Sequence, residues 1–594
     1  MTWIDYLIVL ASLASVVLIG AWASKRASKS AAEFFLSGRT MPWWLLGFSM
    51  VACTFSCDTP NLVTDLVRTH GVSGNWVWWA FLVTGMLTVF VYAKLWRRSE
   101  LSTDVGFYEI RYSGAPAKVL RGFRAIYLGF VFDIIIMGTV SLAAIKIGAT
   151  IFGLSPVLTL AIALGIVGVY ATLGGLTGSI WADFYQFAIA IVGAVAAAYF
   201  AVKACGPDGT GTLRDVFSNP LVQAKMSLLP SMSGPGWRST LMTVFVLPVA
   251  VQWWAMWYPG SEPGGGGFIA QRMLSAKDER NAVWAVMFFN FLHYAVRSWP
   301  WLIVALASIV VYPDLASLQA AFPDTAAQFV KEDMAYPAMV SRMPPGWLGL
   351  IAASLIAAYM STIASFINWG SSYLVHDFYA RFVNPKASPR QLVRVGRLCM
   401  LTLAFGCGCM ALTLQNAKGG FDLILQVGAG TGLIYLLRWF WHRLNAWSEI
   451  SAMIVSFLVA CFFQWGAPAC GLNAWLESGW RAEWLTLSAW QLLIGVAVTT
   501  AGWLAVTFLT PPEPAATLAA FEAKVRTDLR ELPRGVLCSA IGCLLIWAGM
   551  FGCGYVLYGF GGVAGAHALG WSMLGVSAVS AVVLVKLVSG NREA

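Results

Sequence analysis

Charge is what this chain has least of. Asp, Glu, Lys and Arg together make up 11% of its 594 residues, where soluble domains carry about 25%. With 59% hydrophobic residues, a water-soluble globular enzyme is excluded, and so is a disordered chain, which cannot be this apolar. Histidine is nearly as scarce. The five present, at 70, 293, 376, 442 and 567, are scattered through loops and span ends. None belongs to an HExxH pattern, and no nucleophile–base pair is visible, so the clustered groups that a zinc or thiol active site needs are missing. The eleven cysteines follow neither ligand spacing nor a disulfide framework. A basic n-region is lacking too: WIDYLIVLASLASVVLIGAWAS (3–24) is followed at once by KRASK. This reads as a first membrane span with a cytoplasmic flank and not as a cleavable signal peptide.

What is abundant is apolar sequence of spanning length; the mean hydropathy is +0.71. Such runs fall near 3–24, 43–66, 75–96, 119–145, 149–173, 179–203, 239–258, 281–312, 345–376, 392–414, 421–441, 448–466, 487–509, 535–558 and 565–588. About fifteen spans are expected, in an all-α polytopic protein forming one membrane domain. A formal charge of +10 is compatible with nucleic-acid binding, but its placement is not. With the N-terminus outside and the C-terminus cytoplasmic, 27 of the 38 Lys and Arg lie in inner loops and inner chain ends. This is the positive-inside pattern of an integral plasma (inner) membrane protein. The partner implied is the lipid bilayer, with no nucleic acid and no obligate protein partner. A cytoplasmic linker at 510–534 is expected to hold a short amphipathic surface helix, and the outer loops at 204–238 and 313–344 are rich in Gly, Pro, Ser and Asp.

Two spans contradict themselves. The second carries Thr54, Ser56, Asp58 and Thr59 at mid-membrane, followed by Pro60 and Asn61. Proline removes a donor and clashes with the carbonyl one turn back, so a broken helix is expected there. The seventh runs into WAMWYPGSEPGGGGFIAQR (254–272), where two prolines and five glycines cannot continue an apolar helix. Irregular backbone at membrane depth persists only where it lines a cavity or is buried in protein. Two interrupted spans, five spans apart, point to an inverted-repeat secondary transporter with its binding site between the breaks.

Five stretches carry a family resemblance. FFLSGRTMPWWLLGFSM (34–50), GGLTGSIWADFYQ (174–186), QRMLSAKDERNA (271–282), AAYMSTIASFINWGSSYLVHDFY (357–379) and FWHRLNAW (440–447) resemble, in order and spacing, motifs of the sodium:solute symporter family. The resemblance implies a leucine-transporter-type fold. Residues 3–24 would be a leading helix, 43–203 and 239–441 two inverted five-helix repeats, and 448–588 about four C-terminal accessory helices. The activity implied is sodium-coupled import of a small polar organic solute, either a sugar or polyol or an amino or organic acid. A transport-like sensor without net uptake is the alternative.

Ala358, Ser361, Thr362 and Ser365 share one helix face. Read from that helix alone, they could serve close packing or supply oxygens to a hard cation, which wants several. The resemblance implies a sodium site at Ala52, Phe55, Ala358, Ser361 and Thr362. It also suggests a possible second sodium at Asp183, Ser361 and Ser365. The second set lacks one serine, because position 364 is Ala, and Asp183 could instead cap a helix or pair with an inner-loop cation. Solute candidates are Ser56, Cys57, Asp58, Thr59, Asn75, Trp78, Arg297 and Gln426. Cys57 is expected to line a water-filled cavity. Arg297 sits inside a span, at a cost of about 2.5–3.5 kcal/mol on insertion scales. It needs a solute or a carboxylate partner, and Asp58 and Asp133 are the intramembrane carboxylates available.

Overall fold

The computed structural model describes residues 1–54, 56–255, 262–323, 330–413 and 430–589; the regular structure in them is helical, with one isolated bridge between Met41 and Ala276 and no sheet. Eleven described helices are long and apolar enough to cross a membrane. In chain order α1 is Trp3–Ala27, and the second span consists of α2 (Trp43–Cys53) and α3 (Thr59–His70). Then come α4 (Val72–Ser99), α5 (Gly114–Ala149) and the 48-residue α6 (Pro156–Lys203). The seventh span holds α7 (Trp237–Ala250) and α8 (Gly267–Ser275). It is followed by α9 (Glu279–Val311), α10 (Trp347–Val383), α11 (Pro389–Thr413) and the short α12 (Gly432–Leu437). The remainder is α13 (Ala446–Ala469), α14 (Leu487–Leu509), α15 (Ala515–Val525), α16 (Leu529–Gly559) and α17 (Ala566–Val588).

Helix α6 is two spans in one. Gly175 has φ 54° and ψ −152°, a conformation that only glycine adopts without strain. A Cβ there would stand 2.7 Å from the Phe34 carbonyl oxygen, so the glycine both turns the chain and admits the segment before α2. The first break is local chemistry as well. The Thr54 hydroxyl bonds back to the carbonyls of Met50 and Val51 at 3.1 Å each, which ends α2. Pro60 sits in the first turn of α3, where its missing N–H costs nothing.

The core gathers on α10, whose residues from Ile351 to Tyr373 are almost all buried. Helix α1 is tied to its start: the buried Asp5 carboxylate accepts the Gly346 and Gly349 N–H groups at 2.6 and 2.8 Å, with negative charge at the helix end that favours it. The two broken spans meet at one end, where Met41 N–H donates to the Ser275 carbonyl (3.2 Å) and Lys277 N–H to the Met41 carbonyl (3.0 Å). The 510–534 segment holds helix α15, anchored by the buried Phe521 and Val525.

Candidate functional site

The first break places its residues unevenly. Ser56 and Cys57 are buried, Cys57 to 1% exposure, while Asp58 is exposed and Thr59 half-buried. The expectation that Cys57 lines open space is therefore not met; its neighbour Asp58 is the exposed residue of the segment. Phe55, a candidate sodium ligand, and Gln426, a candidate solute contact, lie outside the described residues.

Ending α2 at mid-membrane frees its last carbonyls, which must find donors. Arg297 supplies two of them. Its Nη1 donates to the Val51 carbonyl at 3.1 Å and its Nη2 to the Thr54 carbonyl at 3.0 Å. The guanidinium is buried over the Trp301 ring, 5.5 Å from its centroid, with Nη2 3.2 Å from His293 Nε2. His293 Nδ1 in turn stands 3.2 Å from the Thr54 hydroxyl. Pro300 explains how Arg297 gets there. It lacks the N–H for residue 296 and crowds that carbonyl, and the helix widens just before it, with Arg297 N–H bonding five residues back to Leu292 (3.1 Å). The sequence offered Asp58 or Asp133 as partners. Among the described residues neither forms an ion pair with Arg297, and both oxygens of the buried Asp133 lack a hydrogen-bond partner.

The carbonyls of Val51 and Thr54 are three residues apart and share one side of the helix end, and that of Ala52 lies on the next side around. Across from α2, the Thr362 hydroxyl donates to the Ala358 carbonyl of its own helix (3.1 Å) and lies 3.4 Å from the Cys53 carbonyl. The end of α2 and the hydroxyl face of α10 are thus within one oxygen–oxygen contact of each other. A hydroxyl that gives its proton to a carbonyl keeps its lone pairs, so the oxygens gathered here suit a hard monovalent cation.

Ser361 turns elsewhere. It donates to Asp183 Oδ1 at 2.7 Å, and Ser49 donates to Asp183 Oδ2 at 2.6 Å. Arg272, on α8 and wholly buried, has its Nη2 3.6 Å from that same Oδ2, 2.7 Å from Ser365 Oγ and 3.1 Å from Cys53 Sγ, and its Nε bonds Ser49 at 3.2 Å. The set Asp183, Ser361 and Ser365 is brought together, but around a guanidinium. Arg272, in the 271–282 stretch, is the kind of cation that the sequence offered Asp183 as an alternative partner, whereas Ser49 and Cys53 were not named there. The available signal was an arginine in a short helix after a glycine run, with an intramembrane aspartate to match.

On α4, Asn75 is fully buried and self-contained: its Nδ2 donates to the Val72 carbonyl (3.0 Å), and its Oδ1 accepts from Trp78 Nε1 (2.9 Å). Trp78 stacks on Tyr294 at 5.8 Å with an interplanar angle of 17° and meets His293 edge-on. An aromatic wall thus lies beside the break, with His293 and Tyr294 added to the candidates that the sequence named.

Comparison with known proteins agrees with this architecture. A family model described as the sodium:solute symporter family matches residues 34–456. The chain is 26% identical over 483 residues to a sodium/glucose cotransporter of Vibrio parahaemolyticus, covering 78% of this chain and 86% of that one. It is 25% identical over 509 residues to a sodium/mannose cotransporter of Bos taurus, covering 79% and 81%. Among solved structures, the substrate-bound outward-open state of a Na+-coupled sialic acid symporter superposes with a TM-score of 0.69 at 21% identity, covering 86% of this chain and 99% of that one.

Proposed function

The chain belongs to the sodium:solute symporter family, whose members are membrane transporters and not enzymes, and on that premise we propose that it imports a small polar organic solute with sodium by alternating access. The observation that supports this most directly is the Thr362 hydroxyl standing between the Ala358 carbonyl of α10 and the Cys53 carbonyl at the frayed end of α2. Sodium bound by Ala52, Phe55, Ala358, Ser361 and Thr362 would pin the broken helix to α10. The freed carbonyls would then be shared, one side taken by the Arg297 fork and the adjacent side by the ion. Ser361 would leave Asp183 to join the ion. A second sodium at Asp183, Ser361 and Ser365 would have to displace the Arg272 guanidinium, so this reading carries one ion per cycle.

The solute would lie against Asp58 and Thr59 at the opening and against the Trp78 wall, with Ser56, Cys57, Asn75, Arg297 and Gln426 around it. Its class is left as sugar or polyol, or amino or organic acid. The orientation proposed has the N-terminus outside and the C-terminus in the cytoplasm of a plasma (inner) membrane. One sodium moving inward at about −100 mV contributes ~2.3 kcal/mol, and a tenfold gradient adds ~1.4 kcal/mol. Together these support roughly 500-fold accumulation of a neutral solute. The test has two stages. Candidate solutes are screened for stabilisation of the purified protein that requires sodium, and the hits are then assayed for uptake into proteoliposomes. Stabilisation with no sodium-driven uptake would leave the sensor and remove the symporter.

A further inference from the structure

The inner end of the second broken span is fastened by a buried ion pair. Arg124 Nη2 on α5 donates to Glu262 Oε1 at 2.8 Å, and the two residues are 3% and 4% exposed. Glu262 stands immediately before Pro263 and four glycines, which lead into α8. Three of those glycines, 264, 265 and 267, have φ of +79°, +88° and +52°, and a Cβ on Gly266 would stand 1.8 Å from Glu262 Oε2. The run is a hinge that only glycine can form, folded tightly over the carboxylate. Beyond it, Gly267 N–H donates to Asp104 Oδ2 at 2.7 Å, and the Tyr373 hydroxyl bonds the other oxygen of Asp104. Trp96 Nε1 holds the Gly264 carbonyl at 2.9 Å. The Arg124 guanidinium lies over the Tyr435 ring of α12 at 5.3 Å. Helices α5, α8 and α12 are thus drawn together at one point on the inner side, while Asp58 on the outer side of the first break is exposed.

Among the described residues the pair is incompletely satisfied: Glu262 Oε2 and Arg124 Nε have no hydrogen-bond partner there. A buried ion pair loses hydration that only good geometry and further hydrogen bonds offset. One left half-satisfied gives little net stability to the fold, yet it favours closure while the site is dry and separates readily once water enters. That is the behaviour of a latch beside a hinge. We propose that Arg124 and Glu262 form the inner latch of the transport cycle, holding α8 against α5 until they part to let solute leave inward. The assignment rests on the alternating-access reading above.

Its test uses a cysteine placed beneath the hinge. Thr88 is buried, with its methyl 3.2 Å from where a Gly265 Cβ would be. Thr88→Cys in the full chain, in nanodiscs, is exposed to a small polar thiol reagent, and modification at position 88 is followed by mass spectrometry. Glu262→Gln should speed labelling at least about tenfold, equivalent to ~1.4 kcal/mol of gating equilibrium. The charge exchange Arg124→Glu with Glu262→Arg should slow it again. If Glu262→Gln does not fold, Arg124→Lys, which keeps charge but loses the fork, should label faster than the parent. Unchanged labelling in a folded variant, or a charge exchange that labels as fast as Glu262→Gln, overturns the latch. The readout needs no transport: a latch that responds in a protein showing no sodium-driven uptake refutes symport and leaves the gate.

Discussion

Arg297 is the residue whose replacement separates two physical accounts most cleanly. Its fork donates to two backbone carbonyls, Val51 at 3.1 Å and Thr54 at 3.0 Å, from a buried position. Hydrogen bonds involving a charged group contribute about 1.5–3 kcal/mol each. Arg297→Lys keeps the charge but presents a point donor in place of a planar fork, so it serves one carbonyl well and leaves the other without its donor. The end of α2 should then lose about 1.5–3 kcal/mol of its bound geometry. Ala52 lies between Val51 and Thr54 in the same helix end, so the cost should reach the proposed ion site. Sodium affinity measured without solute should fall roughly tenfold to a hundredfold. The solute KM at saturating sodium should change much less. If the guanidinium instead serves the solute, the pattern reverses: sodium affinity without solute stays put and solute binding falls. Calorimetric or thermal-shift titration of sodium into the solute-free variant decides the matter. An unchanged sodium midpoint in folded Arg297→Lys protein would refute the claim that this side chain supports the break.

Three further outcomes are expected. Thr362→Ala removes the hydroxyl that faces the Cys53 carbonyl and should raise the sodium concentration for half-maximal uptake about tenfold, ~1.4 kcal/mol, without loss of folded protein; Ser361→Ala should add to it only if Ser361 leaves Asp183 on ion binding. Arg272→Gln should destabilise the solute-free protein by about 3–5 kcal/mol, the cost of breaking a buried pair, and Arg272→Gln with Asp183→Asn should cost less than the two singles together, read from a double-mutant cycle of unfolding. Cys57, at 1% exposure, should react with polar thiol reagents far more slowly than the exposed Cys470, which stands just past the end of α13, by peptide-resolved mass spectrometry; comparable rates would place it on the cavity wall.

Much of the architecture was legible because the residues that break helices are distinctive types. Thr54 and Pro60 marked the first break, and Pro263 with the glycine run marked the second. Apolar length marked the spans, even where two of them follow directly on one another and part only at Gly175. Direction was less legible. The sequence put a polar cluster at 54–59 but gave no way to tell that Cys57 points inward and Asp58 outward, since the chain there has no helical or strand period to read. The Asp183–Arg272 pairing joins residues 89 apart in sequence, and neither local period nor composition connects them. The partner of Arg297 was harder still. The sequence suggested carboxylates because carboxylates are visible as letters. The groups that bind it are backbone carbonyls, which every residue carries and which become ligands only where a helix stops. The same holds for the sodium ligands proposed at Ala52, Phe55 and Ala358, none of which has a side-chain oxygen. Such sites can be read from sequence only through register with a family, whereas the hydroxyl of Thr362 and the fork of Arg297 can be reasoned from chemistry once the break is placed. A binding site made from an interrupted helix is therefore half visible in its sequence: the side chains that complete it can be named, and the backbone that forms most of it cannot.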